Sequence, residues 1–500
     1  MRQSGILMHI TSLPGPYGVG TMGKQAYAFV DFLKKAGQSL WQVLPLSPTG
    51  YGDSPYQSCS TYAGNHYLID LDMLNAEGLL TEEEVKSIPW GSNPNKVDFG
   101  LLYQGRLPLL RKAYARFTHS EKLDAFCRDN SSWLSDFSLF MALKDAYQGK
   151  AWYEWPQELK SRQPDAIWQA RKTYADNIRF YCFVQYLFDC QWEALKAYAH
   201  ENGISIIGDV PIYVPLDSAD VWSNPELFQL DNDLNPEAVA GVPPDGFTED
   251  GQLWGNPLYR WEVHKKDGYN WWLRRLAAAG KRYDTVRIDH FRAFEAYWSV
   301  PYGDKTARNG KWVKGPDMDF IRAVKEGLPQ LSCIAEDLGY LTQEVLDMRD
   351  NSGWPGMKVL EFAFYGDNPP SEYLPHLHVK NSVVYLGTHD NLTMKHWFED
   401  TEERVVSFAA EYMHLTEEEG YVWGAIRTAM SSVADMCIIQ LQDYLELGAE
   451  ARMNAPGSMS DCNWTWRVSD GLCTNELAAK ILRMTEVYYR IVKPTETEST

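Results

Sequence analysis

Eight runs of mostly apolar residues recur along the chain, at 5–10, 40–46, 204–210, 285–288, 333–335, 357–362, 383–387 and 436–441. Each is nearly continuous. A strand with one face in water alternates apolar and polar positions, so unbroken runs predict strands covered on both faces. Between several of them lie stretches with amphipathic helical spacing, at 24–36, 269–281, 320–328 and 342–349. Strands alternating with helices predict an α/β fold, and eight repeats favour a (β/α)8 TIM barrel with no separate C-terminal β-domain. An open doubly wound sheet is the alternative.

The spacing between runs is uneven, so the barrel carries insertions. Residues 50–177 contain several helical patterns, one opened by the capping sequence Thr81-Glu-Glu-Glu. Residues 213–258, rich in Pro, Gly, Asn, Asp and Trp, predict an ordered loop region. With no repeat or flexible linker in view, residues 1–500 are expected to form one catalytic domain, ending in a frayed tail at 493–500.

Charge narrows the function classes. A formal net charge of −20 lacks the basic footprint that nucleic acids or an anionic membrane surface require. No signal-peptide pattern and no apolar stretch long enough to span a bilayer is found, and the eight cysteines are scattered without a CxxC pair. Reduced thiols and a cytoplasmic location are the expectation. The 19 Trp and 29 Tyr supply flat apolar faces with polar edges, suited to sugar rings.

Two motifs invite over-reading. Gly18-Val-Gly-Thr-Met-Gly matches GxGxxG, but a long Thr11-Ser-Leu-Pro-Gly-Pro-Tyr segment separates it from the strand, and the next strand offers no terminal acid for a ribose. His376 and His378 form HxH with no acidic partner nearby, which favours a surface turn over a metal site. No cofactor and no metal are expected.

The chemistry gathers where apolar runs end. In Thr285-Val-Arg-Ile-Asp-His-Phe-Arg, Arg287 and Asp289 fall on one strand face, so a guanidinium lies beside a carboxylate and keeps it ionised, as a nucleophile needs. His290 is placed to donate to a sugar hydroxyl. In Ile334-Ala-Glu-Asp-Leu-Gly, Glu336 continues the strand to an apolar rim that raises its pKa, suiting a general acid, while Asp337 is expected to cap the next turn. In Leu386-Gly-Thr-His-Asp-Asn, Asp390 can bind vicinal hydroxyls with His389 beside it. Each motif alone has a structural explanation of comparable weight. Three converging on one barrel rim point to a retaining glycosidase-type pair plus a stabiliser.

These segments together resemble the amylomaltases, the 4-α-glucanotransferases of glycoside hydrolase family 77. The resemblance also rests on Ser12-Leu-Pro-Gly-Pro-Tyr-Gly, Trp41-Gln-Val-Leu-Pro-Leu, Tyr51-Gly-Asp-Ser-Pro-Tyr-Gln-Ser and Gly208-Asp-Val-Pro-Ile-Tyr-Val. Gly241-Val-Pro-Pro-Asp, Gly251-Gln-Leu-Trp-Gly-Asn-Pro, Arg452-Met-Asn-Ala-Pro-Gly and Asn463-Trp-Thr-Trp-Arg complete it. It implies Asp289 as nucleophile, Glu336 as acid/base and Asp390 as transition-state stabiliser. It implies substrate contacts at Arg287, His290, His389 and Asp209, with Tyr56 and Asn463 as further glucan contacts. It also implies a lid at 241–256 carrying Trp254, with Asp245 and Phe247 nearby.

The implied partners are malto-oligosaccharide or α-1,4-glucan donors and acceptors, handled by a monomer or homodimer. Two departures stand out: Ala293 where the family usually has Gly, and Ala455 where Thr is common. A hydrolase using the same acids, and a glycan-binding barrel without catalysis, are the competing readings.

Overall fold

The computed structural model describes residues 2–118, 120–244, 248–366, 370–458 and 460–492. Among these residues twelve strands are formed. In chain order they are β1 (Gln3–Leu7), β2 (Leu40–Gln42), β3 (Ser205–Val210), β4 (Ala238–Val242), β5 (Gln252–Pro257) and β6 (Thr285–Ile288), followed by β7 (Ala296–Pro301), β8 (Lys311–Lys314), β9 (Ser332–Ala335), β10 (Gly356–Val359), β11 (Ser382–Tyr385) and β12 (Met436–Gln440).

Eight of them, one for each apolar run, form a parallel sheet in the order β10-β11-β12-β1-β2-β3-β6-β9. Pairing of β1 with β12 joins the first and last of these strands and wraps the sheet into a barrel. The remaining seam, between β9 and β10, has no ladder. Pro355 begins the approach to β10 and has no N–H to give, so the strands are stitched individually. Ala335 N donates to Pro355 O at 2.9 Å, and Met357 N donates to Asp337 Oδ1 at 2.7 Å. Asp337 therefore crosses the seam, where it also receives Arg349 Nη1 at 2.7 Å, rather than capping the following turn.

Strand residues Ile6, Trp41, Ile206, Val286, Ile334, Val383 and Ile438 are fully buried. Each such Ile or Val gains about 1.5–3 kcal/mol over exposure. Helices cover the barrel: Lys24–Lys35 buries Ala26, Phe29, Val30, Phe32 and Leu33, a three-to-four-residue stripe that packs against the last helix, Asn475–Val487. The crossover from β10 to β11 departs from the expected alternation. Among the described residues it holds 3-10 turns and no α-helix.

Between β2 and β3 the chain builds a helical body ending in the long helix Ala175–Glu201, and the Thr81 capping box forms as the sequence predicts. The segment 213–258, expected as loop, instead contributes β4 and β5 to an antiparallel sheet ordered β5-β4-β7-β8. Its short strands are interrupted by Gly and Pro and shifted in register between Val239 and Gly241, which removes the periodicity that would reveal them.

The amino-terminal glycines serve packing. A Cβ on Gly20 would lie 1.9 Å from Ile10 O, and one on Gly23 would lie 1.9 Å from Asp70 Oδ2. The Asp70 carboxylate, held by Thr21 Oγ1 at 2.6 Å, thus lies against the N-cap of helix Lys24–Lys35, where a phosphate would have to sit. At the opposite end of the barrel, buried Arg490 donates to Gln3 O at 2.9 Å, Met430 O at 2.9 Å and Ser432 O at 3.0 Å. The two termini of the barrel are tied through that side chain.

Candidate active site

Parallel register decides the centre of the site. Asp209 on β3 pairs with Arg287 on β6, so the two side chains emerge side by side on one face at the carboxyl end of the sheet. Arg287 is 3% exposed and Asp209 2%. The guanidinium Nη1 donates to Asp209 Oδ2 at 2.7 Å and to Asp289 Oδ1 at 3.0 Å, and Tyr56 Oη donates to the same Asp209 oxygen at 2.8 Å. A buried charge is tolerable only when paired in this way.

The next residue turns the chain sharply. His290 adopts φ 51°, ψ 46°, a left-handed conformation uncommon for a residue with a Cβ. Its backbone N–H donates to Glu336 Oε2 at 2.5 Å, and Leu338 N donates to Glu336 Oε1 at 2.9 Å. Glu336 is thereby fixed one peptide away from Asp289. The strain at His290 is offset by the bond it makes.

Burial pushes the Glu336 carboxyl up to about 8, opposed by Arg287 and reinforced by Asp289. Burial also lifts Asp289, to about 7, against the pull of Arg287. The expected pull of Arg287 toward the ionised form is thus present but opposed by desolvation, the larger of the two effects. Asp289 nevertheless keeps a direct guanidinium bond and a quarter of its side chain in solvent, both of which favour its anion over that of Glu336.

Asp390 closes the third side. Asn454 Nδ2 donates to its Oδ1 at 2.6 Å, Arg452 Nη2 donates to its backbone carbonyl at 3.2 Å, and His389 Nε2 lies 3.4 Å from Oδ2. Burial holds the His389 ring below its usual range, so it faces Asp390 as a neutral imidazole. That ring stacks on Tyr56 at 5.2 Å and 12°, and Trp464 packs against both. Among the described residues, His389 Nδ1 and Asp209 Oδ1 have no hydrogen-bond partner.

Trp254, on β5, meets His290 edge to face at 4.8 Å, rests near Tyr213 at 6.1 Å and donates to Gln252 Oε1 at 3.1 Å. The antiparallel sheet thus carries an aromatic ring to the rim beside Asp289. Asn463 holds its own loop: its Oδ1 accepts from Ala455 N and its Nδ2 donates to Ser458 O, each at 3.1 Å. Asp245 and Phe247 lie outside the described residues.

Sequence reasoning does not single out Asn454, Arg452, Trp464 or Gln252. The first two stand in the Arg452 motif, but a neutral amide far along the chain from Asp390 gives no pattern by which to pair them. Ala293 lies buried in the 3-10 turn Phe291–Phe294 at negative φ, so the backbone there does not demand glycine. His376 and His378 are engaged by Tyr412, Ser432 and Tyr373. Among the described residues no group of three His, Cys, Asp or Glu side chains is placed to hold a metal. No described helix is long and apolar enough to cross a membrane.

A family model described as 4-alpha-glucanotransferase, glycoside hydrolase family 77, matches residues 8–474. The chain belongs to this family. Among the 4-α-glucanotransferases it resembles is that of Clostridium butyricum, 50% identical over 489 residues, covering 97% of this chain and all of that one. The Thermus thermophilus enzyme is 46% identical over 503 residues, covering 98% and 99%. The solved amylomaltase of Streptococcus agalactiae, in complex with acarbose, superposes with a TM-score of 0.95 at 41% identity, covering 98% of this chain and all of that one. The Corynebacterium glutamicum amylomaltase shares the fold at 18% identity and a TM-score of 0.77, over 98% of this chain and 74% of its own. The protein is a 4-α-glucanotransferase-type enzyme on a TIM barrel.

Proposed function

We propose that this 4-α-glucanotransferase moves α-1,4-glucan segments between malto-oligosaccharides by double displacement, with Asp289 as nucleophile, Glu336 as acid/base and Asp390 as stabiliser. The observation that carries the proposal is the joint fixation of the two acids. Arg287 grips Asp289, and the peptide N–H of the next residue grips Glu336.

In the first step the Asp289 carboxylate attacks the anomeric carbon while Glu336 gives its proton to the departing glycosidic oxygen. The C–O bond to the leaving glucan breaks and a glycosyl ester on Asp289 forms. In the second step Glu336, now ionised, takes the proton of an acceptor hydroxyl, which attacks the same carbon and frees Asp289. Two inversions return the α-configuration. Asp390, oriented by Asn454, holds neighbouring ring hydroxyls as the ring flattens toward the oxocarbenium-like state, and His389 and Asp209 offer their unpartnered atoms to further hydroxyls.

The second step decides between transfer and hydrolysis. Trp254 against His290 gives the acceptor an apolar face beside the ester, raising its effective concentration and excluding water. We further propose that residues 1–500 act as one catalytic domain, with the 50–177 and 213–258 insertions shaping the cleft.

The test is incubation with maltotriose. A ladder of longer chains with nearly constant reducing ends supports transfer. Glucose and maltose alone, with reducing ends rising steadily, would overturn it in favour of a hydrolase. No turnover at all would favour a glycan-binding barrel.

A further inference from the structure

Two buried acids take no part in the mechanism above. Glu361 follows β10 and is 3% exposed, while Asp443 follows β12 and is fully buried. Both reach under the loop 387–394 that presents His389 and Asp390. Asp443 Oδ1 accepts from Met394 N at 2.7 Å, at the far end of the loop. The Glu361 carboxyl lies within the influence of the Leu392 backbone N–H and packs so closely on Gly387 that a Cβ there would lie 2.3 Å from Glu361 Oε1. The loop is therefore held at its first residue and near its last. Above it, Arg452 and Asn454 hold Asp390 from the other side.

The remaining oxygens of the two acids, Glu361 Oε1 and Asp443 Oδ2, have no hydrogen-bond partner among the described residues. The charged groups acting on Glu361 are Asp443, which opposes ionisation, and Arg452, which favours it. Among the described residues Asp443 has no cationic partner, only the Met394 N–H. Two carboxylates facing each other in such a place are costly, and a retained proton removes one charge and supplies a donor.

We propose that Glu361 works as a neutral carboxylic acid which, together with Asp443, clamps the 387–394 loop from below and so positions Asp390. Both are positioning residues. They touch no substrate and act through Asp390. The direction of titration agrees: burial pushes the Glu361 carboxyl well above the carboxylate range and the Asp443 carboxyl to about 7. The inference rests on the role proposed for Asp390.

An isosteric series tests it. In the full chain, Glu361→Gln, a neutral side chain of the same shape, should keep kcat for maltotriose transfer within about twofold of wild type. Glu361→Ala should lower kcat by ~10- to 100-fold with a smaller change in KM, as a misplaced catalytic group does. Infrared spectra at about pH 7.5 should contain a protonated-carboxyl C=O band in wild type that Glu361→Gln loses.

Gln behaving as badly as Ala, or no such band to lose, would overturn the neutral acid. A folded Glu361→Ala enzyme as fast as wild type would overturn the clamp. Should the Ala variant fail to fold, Glu361→Gln and the infrared band still decide. Wild-type enzyme that transfers nothing would remove the functional reading, while the infrared band would still report the protonation state of Glu361.

Discussion

Consider replacing Arg287 by Met, an unbranched apolar chain. Arg287 lies 2.7 Å from Asp209 Oδ2 and 3.0 Å from Asp289 Oδ1. At an effective dielectric of ~20, each contact is worth ~5 kcal/mol of Coulomb attraction before the desolvation of the guanidinium is charged against it. Removing one partner of such a buried pair costs about 3–5 kcal/mol net. Asp289 keeps a quarter of its side chain in water, so its share belongs at the low end, about 3 kcal/mol.

That converts to an upward displacement of the acid limb of the kcat/KM–pH profile by ~2 pH units. At neutral pH ionised Asp289 then becomes a minor species, and loss of orientation adds roughly another tenfold. The expected fall in kcat/KM is ~1000-fold near pH 7, partly recovered at higher pH. Initial rates of glucose release from maltotriose between about pH 5 and 9 measure both quantities, and thermal unfolding verifies the fold. A variant within tenfold of wild type, with its acid limb unmoved, would refute the electrostatic account.

The geometry sets four further outcomes. Because burial raises Asp289 to about 7 and Glu336 to about 8, the folded enzyme binds more protons than the unfolded chain above about pH 4. Stability from this pair is therefore greatest in acid and declines as pH rises to about 8, so Asp289→Asn should abolish transfer yet stabilise the fold by ~1–2 kcal/mol at pH ~8 and little at pH ~5, read by denaturant titration. Asn454→Ala removes the 2.6 Å bond to Asp390 and should lower kcat about tenfold with little change in KM. Trp254→Ala should lower the ratio of transfer to hydrolysis by roughly tenfold, read as reducing ends per glucose released. Gly387→Ala drives a methyl into the Glu361 carboxyl and should lower kcat at least ~10-fold while expression persists.

The barrel is legible in the sequence because its strands are buried on both faces, which leaves runs such as 204–210 and 383–387 uninterrupted by polar positions. The same cause blurs their ends. Residues 43–46 are as apolar as the strand before them, yet the ladder stops at Gln42, since burial makes a run apolar whether or not it pairs. Asp289 and Glu336 can be read because each ends such a run. The contact that joins them cannot: the bond between Glu336 and His290 depends on one residue adopting positive φ, a conformation with no compositional mark when it is not glycine. Asn454 on Asp390 and Asp337 across the seam are likewise contacts between distant segments. The antiparallel sheet escapes notice because its strands are short, a Gly or Pro interrupts β4, β5 and β7, and the β4–β5 register shifts between Val239 and Gly241.

The pairing of β1 with β12, latched by Arg490 onto Gln3, has a bearing on biosynthesis. During synthesis β1 stays without one of its neighbours until residue 440 has been made, and without its latch until residue 490. Contacts of such sequence separation fold slowly, and an open edge on β1 invites pairing with other chains meanwhile. This enzyme is thus committed to a late closure, and a nascent chain stalled short of residue 490 is a natural client for chaperones.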